Sequence, residues 1–190
     1  MKQQIFLVRH GETEWSSSGR HTGRTDIPLT AAGREGAAAI GKMLAGRSLT
    51  VWTSPLSRAR ETCELAGLGG SALADDDLRE WDYGIYEGRK TLEIREEIPG
   101  WSVWLSPIIG GESLEALAER ASRVIGRAAE AGGDVALFSH GHLLRVLAAC
   151  WIGMPPVTGR LLALDTASVS VLGYERQTRV IRKWNCVAGE

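Results

Sequence analysis

Two stretches of this 190-residue chain end alike. Phe6-Leu7-Val8 runs into Arg9-His10-Gly11, and Ala136-Leu137-Phe138 runs into Ser139-His140-Gly141. An imidazole titrates near neutrality and serves as nucleophile or base. A guanidinium beside it recognises oxyanions through a planar fork of donors. A third apolar run, Leu49-Thr50-Val51-Trp52, delivers Ser54-Pro55 and then Arg58, one turn into a helix. Helix N-termini attract anions through free N–H groups and the macrodipole. Brought together, two arginines, two histidines and a helix start form an oxyanion pocket suited to phosphate. Alone, Arg9 and His10 read equally well as residues that merely cap a strand. Convergence decides between these readings, so the elements that carry the residues matter.

Short apolar runs closed by turn residues read as buried strands, here at 5–8, 49–52 and 135–138. Ligands in α/β sheets bind beyond the carboxyl ends of such strands. Thr30 caps a helix over Ala31–Ala45 with Ala37, Ile40, Met43 and Leu44 on one stripe. Ser54 as cap and Pro55 in the first turn start a helix that runs to about Ala66. Ser113 caps the strongest amphipathic pattern, with Leu114, Leu117, Ala118, Ala121, Val124, Ile125 and Ala128 on one face. Further helices are expected over Lys90–Ile98 and from about Leu143 to Trp151, and a short strand at Ala72-Leu73. Val169–Tyr174 and Arg179–Trp184 read as a closing hairpin. Thr13–Leu29 is polar and reads as a long functional loop. The alternation predicts one α/β domain over 1–190, a three-layer α/β/α sandwich with a mostly parallel central sheet.

Composition narrows the function. Lys+Arg 22 against Asp+Glu 23 leaves a net charge of -1, which argues against nucleic-acid binding by bulk charge and for anion recognition in a local pocket. Three scattered cysteines, Cys63, Cys150 and Cys186, offer neither a disulfide framework nor a zinc pattern and suggest a reducing, cytoplasmic setting. No apolar run is long enough to span a bilayer. Asp75-Asp76-Asp77 invites a metal, but a solvated turn is the simpler reading. The four tryptophans at 15, 81, 101 and 104 wall a cleft or simply pack.

Leu7-Val8-Arg9-His10-Gly11-Glu12-Thr13-Glu14-Trp15 resembles the signature of the histidine phosphatase superfamily, in the branch that includes cofactor-dependent phosphoglycerate mutases. Ser54-Pro55-Leu56-Ser57-Arg58-Ala59, Leu78-Arg79-Glu80 with Tyr83-Gly84 and Glu87-Gly88, and Ser139-His140-Gly141-His142 follow in that branch's order. The resemblance implies that His10 becomes transiently phosphorylated, that Arg9, Arg58 and His140 clamp the phosphoryl oxygens, and that Glu80 protonates the leaving oxygen. It also implies substrate contacts from Ser16, Thr22, Gly23, Tyr83 and Gly141. Charge-assisted hydrogen bonds, worth roughly 1.5–3 kcal/mol each, would carry much of the catalysis in such a site. No metal or other cofactor is implied.

Hydrolysis is favoured over mutase chemistry. The segment from Arg89 to Gly111 is short, with only Arg89, Lys90 and Arg95 as basic residues, whereas the family's mutases carry longer, more basic insertions. Ser16 stands where those mutases have asparagine, and serine lacks the amide donor. Glu14-Trp15-Ser16-Ser17-Ser18-Gly19, His21-Thr22-Gly23 and Asp75–Trp81 resemble the sedoheptulose bisphosphatase and broad-specificity members instead. The expected partner is therefore a small phosphate ester of the sugar type, with no nucleic acid or membrane, and a homodimer is left open. His142 and His21 are open between substrate contact and structure. The alternatives are a mutase, a weakly active phosphoester-binding protein, and a metal-dependent hydrolase; no HExxH spacing supports the last.

Overall fold

A computed structural model describes residues 2–189. Six strands, β1 (Ile5–Arg9), β2 (Thr50–Thr53), β3 (Leu73–Ala74), β4 (Val135–Ser139), β5 (Ser168–Glu175) and β6 (Thr178–Val187), form one sheet in the order β3-β2-β4-β1-β5-β6. The first four are parallel, β5 runs antiparallel to β1, and β6 turns back antiparallel to β5 to close the sheet as a hairpin. Residues of β1 are buried on both faces, as the near-continuous apolar run requires. Their period of two divides the core. Phe6 and Val8 pack with α2 (Ala31–Leu44) and α3 (Ser57–Leu65), while Ile5 and Leu7 pack with α5 (Leu114–Glu130) and α6 (Gly141–Trp151). The result is the expected three-layer α/β/α arrangement.

Register builds the site. Arg9 pairs with Ser139 across β1 and β4, so His10 and His140 emerge side by side, one residue past the sheet. Thr53 pairs with Phe138, so Ser54 leaves β2 beside them.

Three expectations change in detail. The 13–29 stretch contains a short helix, α1 (Glu14–Ser18), because Thr13 and Ser16 form a reciprocal capping box. Only five residues long, it shows no amphipathic period. The helix after β2 begins at Ser57 rather than at Pro55, with Leu56 at the cap and no side-chain cap of its own. Asp26 fills that role from a distant loop, accepting from the Ser57 N–H at 2.9 Å and from its hydroxyl at 2.7 Å. Its carboxylate thus closes the α3 N-terminus that the sequence offered as an anion site. The small strand moves by one residue to Leu73–Ala74, and the helix expected over Lys90–Ile98 is one residue shorter at each end, α4 (Thr91–Glu97). Among the described residues, no helix is long and apolar enough to cross a membrane.

Candidate active site

His10 is pinned from both neighbouring strands' extensions. Its N–H donates to the Ser139 carbonyl and its carbonyl accepts from the Ala167 N–H, each at 3.0 Å. The ring Nδ1 lies 2.7 Å from the Gly11 carbonyl oxygen. A carbonyl only accepts, so Nδ1 carries the proton and Nε2 keeps the lone pair. Burial, then the charges of Arg58 and Arg9, hold the imidazole well below its usual pKa. The ring is thus a neutral imidazole of defined tautomer, with the Nε2 lone pair free to act as a nucleophile. Gly11 in turn donates its N–H to the Thr62 hydroxyl at 2.9 Å.

The cations divide their work. Arg9 donates through Nη1 to the Leu164 carbonyl, while its buried Nε has no protein partner. An unpaired buried donor is costly unless a ligand completes it. Arg58 is fully buried and four of its five N–H groups are engaged: Nε donates to His140 Nδ1 at 3.2 Å, Nη1 to Thr25 O at 3.0 Å, and Nη2 to Thr22 O at 3.2 Å and Gly23 O at 2.9 Å. Because the guanidinium only donates, His140 Nδ1 is the acceptor and Nε2 carries the proton, 2.8 Å from the Ser54 hydroxyl. The His10 and His140 rings lie 5.2 Å apart, centroid to centroid.

Glu80 reaches the same space from an irregular segment. Its carboxylate caps α6, accepting from His142 N–H at 3.1 Å and Leu143 N–H at 3.0 Å, and from Trp81 N–H at 2.9 Å. The helix start that is filled is therefore that of α6, and the group that fills it is the carboxyl of the candidate acid itself. Beside it, Tyr83 Oη lies 2.7 Å from His142 Nδ1. Burial and then Glu80 push the phenol up, and burial holds His142 well down, so the tyrosine donates to a neutral imidazole.

A cleft of about 210 Å³ opens between these groups, lined by Arg9, His10, Glu80, Tyr83 and Gly141, with Ser16 and Thr22 at its edge. A Cβ at Gly141 would meet the Arg9 guanidinium at 3.4 Å, an ordinary contact. Ser16 faces the cleft, but its hydroxyl is taken at both ends by Thr13. Gly23 stands outside it. Its N–H donates to Glu87 and its carbonyl accepts from Arg58, so it shapes the loop rather than offering a free group. His140 and Arg58 lie behind the cleft wall. Arg20, His21, His142, Arg145 and Leu164 line it as well. Of these, Arg20, Arg145 and Leu164 were not foreseen, because no local pattern distinguishes them from surface or packing residues.

Asp75, Asp76 and Asp77 are spent on arginines, Asp75 and Asp77 sharing Arg127. Asp75 and Asp77 pair with Arg123 and Arg127, and Asp76 with Arg79. Among the described residues, no group of three metal-ligating side chains is assembled. Trp81 and Trp101 are core residues, and none of the four tryptophans lines the cleft. Burial pushes the Cys63 thiol up to about 12, which removes it as a nucleophile.

The model of the histidine phosphatase superfamily, branch 1, matches residues 5–187. The chain belongs to that family. An acid phosphatase of Mycobacterium tuberculosis is 40% identical over 181 residues, 93% of this chain and 89% of that one. The sedoheptulose 1,7-bisphosphatase of Saccharomyces cerevisiae is 38% identical, over 80% of this chain and 68% of that one. A Klebsiella pneumoniae protein named "Probable phosphoglycerate mutase GpmB" is 35% identical over 95% and 89%. The solved structure of an open reading frame from M. tuberculosis superposes with a TM-score of 0.94 at 37% identity, covering 99% of this chain and 100% of that one.

For this histidine phosphatase the buried imidazoles set an acid limit to stability. His10, His140 and His142 are held well below the usual value and His21 at about 4, burial being the first cause in each. Above pH 6.5 folded and unfolded chains both carry them neutral, so they contribute no pH dependence. As the pH falls below 6.5 the unfolded chain takes up protons that the folded chain refuses. His21 then costs roughly 1 kcal/mol of stability per pH unit down to about pH 4, and the other three act in the same direction. Urea melts at pH 7.5, 6.0 and 5.0 are expected to show steeply falling stability. A flat profile would mean that the imidazoles charge freely in the fold.

Proposed function

We propose that this phosphatase hydrolyses small phosphate monoesters through a phosphohistidine at His10. The observation that carries the reading is the neutral His10 ring, with Nε2 unprotonated, beside the unpaired Arg9 Nε and the Glu80 carboxyl. In the first step Nε2 forms a bond to phosphorus as the ester P–O bond breaks, and protonated Glu80 gives its proton to the leaving oxygen. In the second, water gives its proton to Glu80 and attacks phosphorus, and the P–N bond breaks to restore neutral His10. Arg9 and the Arg58–His140 pair stabilise the charge on the phosphoryl oxygens.

A sugar phosphate or bisphosphate is the proposed substrate class, and the cytoplasm the proposed setting. The likeness to sedoheptulose bisphosphatase supports the first. So does a cleft of about 210 Å³, below the roughly 300–1,000 Å³ typical of drug-sized ligands. Three free cysteines support the second. The relatives named as mutases raise the competing activity. Against it, Arg89 is engaged by Glu97 and Arg95 by the Trp101 carbonyl, and neither borders the cleft to hold a substrate carboxylate.

The test is a panel of p-nitrophenyl phosphate, sedoheptulose and fructose bisphosphates, sugar monophosphates and 3-phosphoglycerate, assayed with EDTA present. Phosphate release undiminished by the chelator, fastest on a sugar phosphate, is expected. Isomerisation of phosphoglycerate outrunning hydrolysis would overturn the reading.

A further inference from the structure

We propose that Arg120, locked by Glu112, is a positioning residue for the proton donor Glu80. This inference rests on the reading of Glu80 as the acid. Residues 79–82 belong to no helix or strand, so no regular ladder fixes the peptide that carries this carboxyl. The side chain is held from the front by α6, as described above. From behind, the Arg120 guanidinium of α5 replaces the missing ladder. Nη1 donates to the carbonyls of Asp77 at 2.6 Å and Arg79 at 2.9 Å, and Nη2 to the carbonyl of Glu80 itself at 3.3 Å.

The fork is aimed by a bidentate pair. Arg120 Nε and Nη2 lie 2.7 and 2.8 Å from the two Glu112 carboxylate oxygens. Both side chains are mostly buried, so solvent screens the pair little. Glu112 is itself tied to the same segment, because its carbonyl accepts from Trp81 Nε1 at 2.8 Å and its N–H donates to Asp82 O. A further anchor, Ser139 Oγ on Leu78 O at 2.7 Å, comes from the residue that precedes His140. Every N–H of Arg120 is thus spent on the Glu80 segment or on the carboxylate that aims it. A lysine, a point donor on a flexible stem, has no planar fork with which to reproduce this.

Acid catalysis has a signature that packing lacks. An alkoxide leaves only with a proton, whereas p-nitrophenolate leaves unaided. Misplacing a catalytic group by about 1 Å costs on the order of 100-fold. Measured by kcat/KM, R120M is therefore expected to lose about 10- to 100-fold on glycerol 3-phosphate and no more than about 3-fold on p-nitrophenyl phosphate. R120K falls between R120M and the parent, and E112Q repeats the pattern more weakly. E80Q, the reference, shows the largest gap between the two substrates.

Equal losses on both esters in folded R120M, with E80Q still selective, would overturn the positioning role and leave the mechanism standing. Equal losses in E80Q itself would instead remove the acid assignment. If R120M fails to melt cooperatively, E112Q decides by the same comparison.

Discussion

Replacing His10 with asparagine is expected to lower kcat/KM on p-nitrophenyl phosphate by about 10⁴-fold or more, because loss of a covalent nucleophile removes both half-reactions at once. The choice of residue matters. Asparagine keeps a side-chain N–H that can donate to the Gly11 carbonyl, the partner of Nδ1 in the parent. The strand-end backbone bonds to Ser139 and Ala167 involve no side chain and persist. The fold is therefore expected to survive while the lone pair at Nε2 is gone. Rapid-quench trapping with labelled substrate is expected to give an acid-labile phosphoenzyme in the parent and none in H10N. Full activity, or an undiminished phosphoenzyme, in a folded H10N protein would sink the covalent mechanism.

Gly33→Ala is expected to destabilise the protein by about 3 kcal/mol or more, from forced overlap in a packed interior. Helix propensity predicts the opposite sign, since alanine in place of a helical glycine ordinarily stabilises by about 1 kcal/mol. Packing wins because of what the glycine touches. A Cβ on Gly33 would lie 2.1 Å from Glu12 O and 2.7 Å from Glu12 N, both backbone atoms that no rotamer change can move aside. The contact is mutual, as a Cβ on Gly11 would lie 2.3 Å from Gly33 O. This is where the first turn of α2 crosses the chain leaving β1, one residue after His10. Prying the two apart shifts the Gly11 carbonyl that sets the His10 tautomer, so activity is expected to fall along with the melting temperature. Thermal melts of G33A beside G126A are decisive, since nothing lies within 4 Å of a Cβ at Gly126 in the middle of α5. Equal small effects at both sites would remove the close approach as the cause.

Residues that act through their immediate neighbours were legible in the chain. Runs such as Phe6-Leu7-Val8 and Ala136-Leu137-Phe138 are strands because apolar residues buried on both faces leave no helical stripe, and Thr30 and Ser113 cap helices whose first N–H groups lie three residues away. Strand ends that share a His-Gly step place both histidines once parallel pairing is granted, and the register bears that out. Thr13–Leu29 misled because a five-residue helix with a capping box has too few residues for a period to show.

The site's polarity was not legible. Ser54 looked like a helix cap, yet its hydroxyl meets His140, and Asp26 closes the helix from across the fold. Arg58 looked like an open phosphate donor, yet it spends four of its five N–H groups on the loop at 22–25 and on His140. Arg120 carried no signal at all in the chain, and its partners emerge only in the fold. What separates the two groups of residues is range. Burial and capping depend on neighbours a few positions apart, so period and spacing record them. A buried donor takes whichever acceptor the folded chain brings near, here across intervals of 33 to 86 residues, and no local pattern encodes that choice. The sequence by itself determined that His10 stands at a strand end beside an arginine. Only the tertiary structure decided that its Nε2 is the free nitrogen and that the Glu80 carboxyl waits at the start of α6.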